Sequence, residues 1–180
     1  MATECHPDKA IVDRSIRRLD SIHLKLLNTI AALDDSMFAL SPSNNQWSVA
    51  QIVHHLSLVE NAVIAELEKG LAQPPQRISF LRRLIPTSIV AVRLVRVKAP
   101  RGMNPLEHPP KDEIIANYNN SRDRLKALYE THGPARLKQV SFKHPFLGDI
   151  TGLATVSFVG YHELRHLKQI RETLQKLSRS

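Results

Sequence analysis

Tyr161-His162-Glu163-Leu164-Arg165-His166 lies inside a long run whose apolar residues are Val156, Val159, Leu167, Ile170, Leu174 and Leu177. Steps of three, four and seven residues mark one face of an α-helix. The run therefore reads as a helix from about Thr151 to Leu177. It carries His162 and His166 one turn apart on the same face, where two imidazoles can share one metal ion. Three protein ligands with one open position is the usual arrangement of a catalytic metal, and a third histidine, His55, lies in an earlier helical pattern.

Upstream, the first helical pattern spans roughly Asp8 to Leu40, through Ile16, Leu19, Ile22, Leu26, Leu27 and Ile30. Ser41-Pro42-Ser43-Asn44-Asn45 reads as a loop. The second helix has a marked start. Ser48 suits the N-cap, Gln51 completes a capping box, and Trp47 with Ile52 forms a hydrophobic staple. Ile52, Leu56, Val59, Val63 and Leu67 continue its stripe until Gly70 and Pro74-Pro75 end it. A third core helix covers about Asp112 to Thr131 and is stopped by Gly133-Pro134. His144-Pro145-Phe146-Leu147-Gly148-Asp149 reads as a turn, with no sheet expected beside the last helix.

Four long helices and one long connection describe an all-α four-helix bundle with a crossover. The 180 residues read as a single domain, 1–180, with residues 71–110 as the crossover. Between Gly70 and Leu106 there is no acid, but there are seven cations: Arg77, Arg82, Arg83, Arg93, Arg96, Lys98 and Arg101. These account for most of the net charge of +8. The apolar, basic stretch Ile78–Val97 suggests short helical pieces that cover the site or form a homodimer contact. A basic segment also suits an anionic small molecule, nucleic acid or anionic lipid. Against nucleic acid, Phe80 is its one aromatic residue, too few for base stacking.

One cysteine, Cys5, permits no internal disulfide and points to a reducing, cytoplasmic setting. No apolar run approaches 18 residues, so no transmembrane helix is expected. Helical angles separate the histidines. His166 falls about 60° and His162 about 100° from the stripe centre of their helix, on one flank. His55 falls about 100° from its own stripe, and His54 about 160°, towards solvent. Glu163 projects near the middle of the apolar face, where a buried carboxylate needs a basic partner. His162-Glu163-Leu164-Arg165-His166 also fits H-E-x-x-H, in which Glu163 would be a general base. No G-x-x-H continuation follows, and no downstream acid has the spacing of a third protease ligand.

Three motifs in order carry a resemblance. Trp47-Ser48-Val49-Ala50-Gln51-Ile52-Val53-His54-His55-Leu56, His144-Pro145-Phe146-Leu147-Gly148, and His162-x-x-x-His166-x-x-Gln169-Ile170 together resemble the DinB/YfiT-like metalloenzymes over nearly the whole chain. The resemblance implies a four-helix bundle that binds one divalent metal, zinc or nickel, through His55, His162 and His166. It also implies a small-molecule substrate and chemistry on a low-molecular-weight thiol or on water, as in transferases and hydrolases of that group. Thr155-Val156-Ser157-Phe158-Val159-Gly160 departs from the aromatic-rich helix start of common relatives. The competing reading is a non-enzymatic module whose basic crossover contacts nucleic acid or anionic lipid.

Overall fold

A computed structural model describes residues 7–76, 110–144 and 148–179, together with residues 88 and 105. Helix α1 (Pro7–Ala31) is followed by the short α2 (Asp35–Ala39) and by α3 (Val49–Leu71). Helix α4 (Lys111–Leu137) leads into strands β1 (Ser141–His144) and β2 (Gly148–Thr151), and α5 (Gly152–Leu177) closes the order. The four long helices form the bundle anticipated from the periodicity. None of the described helices is long and apolar enough to cross a membrane. The basic side chains from Arg77 to Arg101, the expected helical pieces of 78–97 and the middle of the His144–Gly148 turn lie outside the described residues.

Local chemistry sets the helix ends. Ser48 caps α3, its side chain accepting from the Gln51 amide while the Gln51 side chain accepts from the Ser48 amide. Thr151 caps α5 by accepting from the Ala154 amide at 3.1 Å. Two features differ from the sequence reading, the end of the first helix and a hairpin beside the last one. The first pattern breaks after Ala31, and Asp34 caps the separate α2 through the Met37 amide at 2.7 Å. Gly133-Pro134 stops the long run of α4 where the sequence places its end, because Gly133 has non-helical angles and the residues to Leu137 form a second short helix after the kink. Gly133 takes φ 67°, which glycine tolerates, and Pro134 restarts a last helical turn. Beside the last helix there is a two-stranded antiparallel hairpin, in register Ser141↔Thr151 through His144↔Gly148. With its Phe142 and Ile150 it gives too short an alternation to read as strand without its partner.

Cross-helix contacts fix the directions. Glu60 meets Arg122 and Leu71 meets Arg136, so α3 and α4 run parallel. Asp20 meets Lys126 while Leu33 meets Lys111, so α1 and α4 are antiparallel. Ser15 with Ser157 and Arg18 with Tyr161 make α1 and α5 parallel. Parallel neighbours cannot be joined by a short turn. The chain leaving α3 must return the length of that helix, roughly 35 Å for its 23 residues at 1.5 Å each. This accounts for the long crossover.

Two apolar clusters fill the bundle. One gathers Leu19, Val63, Leu67, Leu125, Tyr129 and Val156 near the hairpin. The other gathers Leu26, Ile30, Ile52, Tyr118, Leu167 and Ile170 at the opposite end. Burying each such side chain contributes about 1.5–3 kcal/mol. Gly152 lets the hairpin close against α3 and α4. A Cβ there would meet the Leu137 carbonyl oxygen at 2.9 Å, and backbone cannot move aside cheaply. At Gly160 the nearest atom to an added Cβ is Leu19 Cδ1 at 3.6 Å, an ordinary contact.

Gly152→Val should therefore destabilise the protein by about 2 kcal/mol. Gly160→Ala should be neutral or stabilising by up to about 1 kcal/mol, because alanine suits a helix interior. Thermal melts of the two variants check this, at roughly 2–4 °C per kcal/mol for a chain of this size.

Candidate metal centre and the buried polar layer

Between the two apolar clusters each long helix contributes polar side chains to one layer. His23 follows Leu19 by one turn on α1, and Glu60 follows Leu56 on α3. Arg122 follows Tyr118 on α4, and Glu163 follows Val159 on α5. Each occupies an apolar-face position of its helix and so meets the others. Arg122 donates from Nε to Glu60 Oε1 at 2.8 Å, and Ser121 Oγ donates to Glu60 Oε2 at 3.0 Å. Arg122 Nη2 stands 3.2 Å from Glu163 Oε2, and His23 Nδ1 stands 3.3 Å from Glu163 Oε1. Glu163 thus faces a basic side chain from another helix, as its position on the apolar face required.

Two carboxylates around one guanidinium carry an excess negative charge that a low-dielectric interior disfavours. Burial, then the negative charge of Glu60 and of Asp20, pushes the Glu163 carboxyl well above the ordinary glutamate range. Glu60 is also raised by burial, but Arg122 opposes the shift. Of the two, Glu60 is the better compensated anion, paired with Arg122, and Glu163 is the one that burial drives towards its neutral form. His23 complements this. Burial and the Arg122 charge lower it to about 4, so it is neutral. Its Nε2 lies 2.8 Å from Asn119 Oδ1, an acceptor, so Nε2 carries the proton. Nδ1 then presents a lone pair to Glu163, which the protonated carboxyl can fill. These distances are within ion-pair range, yet Glu163 has no aligned hydrogen bond among the described residues. The pair is better described as a neutral contact than as a salt bridge.

The three histidines converge beside this layer. One potential ligand atom each from His55, His162 and His166 lies within 4.8 Å of the others. His162 Nε2 and His166 Nε2 are 3.2 Å apart. Two nitrogens bound at about 2.0–2.1 Å to one tetrahedral ion would be separated by roughly 3.3 Å. His55 comes from the antiparallel α3, its ring centroid 5.3 Å from that of His162 and 4.9 Å from that of His166. His55 and His166 are buried, and His162 is half-buried, the most exposed of the three among the described residues. Burial, then the neighbouring His162 and His55, holds His166 well below the ordinary imidazole range. A neutral imidazole is the form that binds metal. The donor set and spacing therefore fit a divalent ion.

His54 is not part of this cluster. It does not face solvent freely either. Its ring is half-buried, and Nδ1 is buried without a hydrogen-bond partner among the described residues. Trp47, the one tryptophan of the chain, packs its ring against His55 at 5.0 Å, and Phe158 stacks on His162 at 5.8 Å. A cavity of about 10 Å³, the size of one water molecule, lies between His162 and Glu60, Tyr118, Arg122 and Glu163. His23, Glu60 and Arg122 were not singled out as site residues from the sequence. A signal existed, because each interrupts its own apolar stripe at a core position.

A histidine held neutral by the fold makes stability depend on acid. His23 has a folded pKa below its unfolded value, so its stabilisation is complete above about pH 6.5 and is lost as pH falls towards about 4. The expected loss by pH 4 is on the order of 3 kcal/mol. Comparing melts of the wild type and His23→Gln between pH 7 and pH 4.5 tests this. The variant should show a visibly shallower decline.

Comparisons with known proteins agree with this architecture. The uncharacterized protein YuaE of Bacillus subtilis (strain 168) is 26% identical over 163 residues, 87% of this chain and 95% of YuaE. YfiT from Bacillus subtilis, described as a probable metal-dependent hydrolase with an unusual four-helix bundle topology, superposes with a TM-score of 0.65 at 19% identity. That match covers 99% of this chain and 93% of YfiT. TT2238, a four-helix bundle protein, matches with a TM-score of 0.60 at 19% identity, over 89% of this chain and 98% of its own. The model of one family spans residues 13–170, from α1 through the polar layer and all three histidines to Ile170. On that extent of match, the chain belongs to the DinB superfamily.

Proposed function

We propose that this protein is a divalent-metal-dependent enzyme whose ion is held by His55, His162 and His166. The convergence of three imidazoles from two antiparallel helices carries the reading. Such an ion, zinc or nickel, would supply Lewis acidity to a water or to the sulfur of a low-molecular-weight thiol. The likeness to YfiT, described as a probable metal-dependent hydrolase, supports the water branch. The thiol branch rests on the family resemblance. His55 and His166 supply rigid, buried donors, and the half-buried His162 borders the side from which a small-molecule substrate approaches. Trp47 and Phe158 brace two of the rings from outside.

The reading treats residues 1–180 as one domain in the cytoplasm. Glu163 is assigned a structural role. Its carboxyl faces Arg122 and His23 in the bundle interior, and burial pushes it well above the ordinary glutamate range, away from the ionised form a general base needs. This also argues against protease chemistry, for which the glutamate of H-E-x-x-H must be ionised and reach the attacking water. The alternative, a module binding nucleic acid or anionic lipid through Arg77–Arg101, is favoured by the concentration of charge there. Tight nucleic-acid binding with a steep salt dependence, in protein that takes up no metal, would select it.

Purified protein should bind about one zinc or nickel per chain, with ligand distances of roughly 2.0–2.2 Å for zinc. His55→Ala, His162→Ala and His166→Ala should each lose most of the metal. His54→Ala should keep it. Elemental analysis measures the content, and Trp47 fluorescence reports binding through its contact with His55. Full metal in all three single variants would sink the assignment.

Glu163→Gln should keep its metal and lower the melting temperature modestly. In a screen of hydrolytic and thiol-transfer substrates, its turnover should stay within a few-fold of wild type, while His162→Ala has none. A folded, metal-loaded Glu163→Gln that is slower by about a hundredfold would make Glu163 the general base.

A further inference from the structure

His166 has both ring nitrogens engaged. Nδ1 lies 2.9 Å from Oε1 of Gln169, and Nε2 lies 3.2 Å from Nε2 of His162. Gln169 sits three residues later on α5, on the same face and half-buried. The amide oxygen only accepts, so the proton on His166 must be on Nδ1. A neutral imidazole has one N–H, which leaves the Nε2 lone pair directed into the space between His162 and His55. Without Gln169 either nitrogen of His166 can carry the proton, and an Nε2–H cannot ligate a metal.

From this contact we propose that Gln169 is a positioning residue, which fixes the Nδ1–H tautomer and ring orientation of His166 so that Nε2 is the metal donor. The proposal rests on the three-histidine reading above and adds to it the residue that makes one donor competent. In the metal-free protein the His166 lone pair accepts the Nε2–H of His162 at 3.2 Å, and His162 moves that proton to its own Nδ1 when its Nε2 takes up the ion. Removing a hydrogen-bond partner behind a ligating histidine typically weakens metal affinity about 10–100-fold. A carboxylate in place of the amide would accept the same Nδ1–H and preserve the arrangement.

Two measurements on the full chain test this, using wild type, Gln169→Leu and Gln169→Glu. The first is nitrogen NMR of the His166 ring in metal-free protein. The second is zinc titration followed by Trp47 fluorescence. Wild type and Gln169→Glu should show His166 protonated on Nδ1, and Gln169→Leu should lose that preference. Zinc affinity should fall about 10–100-fold in Gln169→Leu and return to within a few-fold of wild type in Gln169→Glu. An Nε2–H tautomer in the wild type, an unchanged affinity in Gln169→Leu, or no rescue in Gln169→Glu would each overturn the proposal. Wild-type protein that takes up no divalent metal would defeat the three-histidine reading, and the tautomer comparison would still decide what Gln169 does. If Gln169→Leu does not fold, the wild-type tautomer and the Gln169→Glu affinity decide it.

Discussion

Arg122, 3% exposed, stands between Glu60 and Glu163 at the level where the two apolar cores of the bundle meet. A guanidinium in that position is costly unless its donors are used; it donates to Glu60 of α3 and to the Leu19 carbonyl of α1, and its Nη2 stands 3.2 Å from Glu163 of α5. Through these contacts one side chain of α4 sets the axial register of the other three helices. Apolar side chains alone would tolerate sliding by a turn, because leucine and valine stripes repeat. A charged group with named partners on each neighbour does not. Removing Arg122 would strand Glu60 in the interior, a loss of the kind that costs about 3–5 kcal/mol.

That register is also what assembles the histidines. Glu163 adjoins His162 in sequence, and Glu60 lies five residues after His55, on α3. Holding Glu60 and Glu163 on the same arginine therefore holds the flanks of α3 and α5 opposite each other one turn further along. The parallel pairing of α3 with α4 frees α5 to run antiparallel to α3, which brings a residue near the start of α3 against the middle of α5. A simple up-down-up-down bundle with short turns would have α3 and α4 antiparallel. The long crossover is the cost of the arrangement that makes the site.

Electrostatically the layer is close to neutral, and in the pocket beside it burial holds His166 well below the ordinary imidazole range. Burial lowers the proton affinity of His166 and of His23 and raises that of Glu163, all in the direction that removes charge from the interior. For His166 the same effect leaves a lone pair available at neutral pH. A bound divalent cation would then be the one strong charge of the pocket, poorly screened by water on the buried side, which is where Lewis acidity is most effective.

The sequence by itself determined the four long helices, because 3.6-residue periodicity and caps such as Ser48 with Gln51 are local, although the break between α1 and α2 was not legible in it. The i, i+4 spacing of His162 and His166 likewise fixed their shared face, and the flank angle of His55 gave it a groove to occupy. Glu163 on an apolar face announced a buried partner without naming it. Tertiary structure decided the rest. Which cation meets Glu163 and whether His54 is wet or packed depend on groups far away in sequence. So do the hairpin, whose four-residue strands exist only as a pair, and the parallel run of α3 and α4. Periodicity says which face of a helix is apolar; it is silent on direction, register and neighbour, and those are set by long-range packing around Arg122.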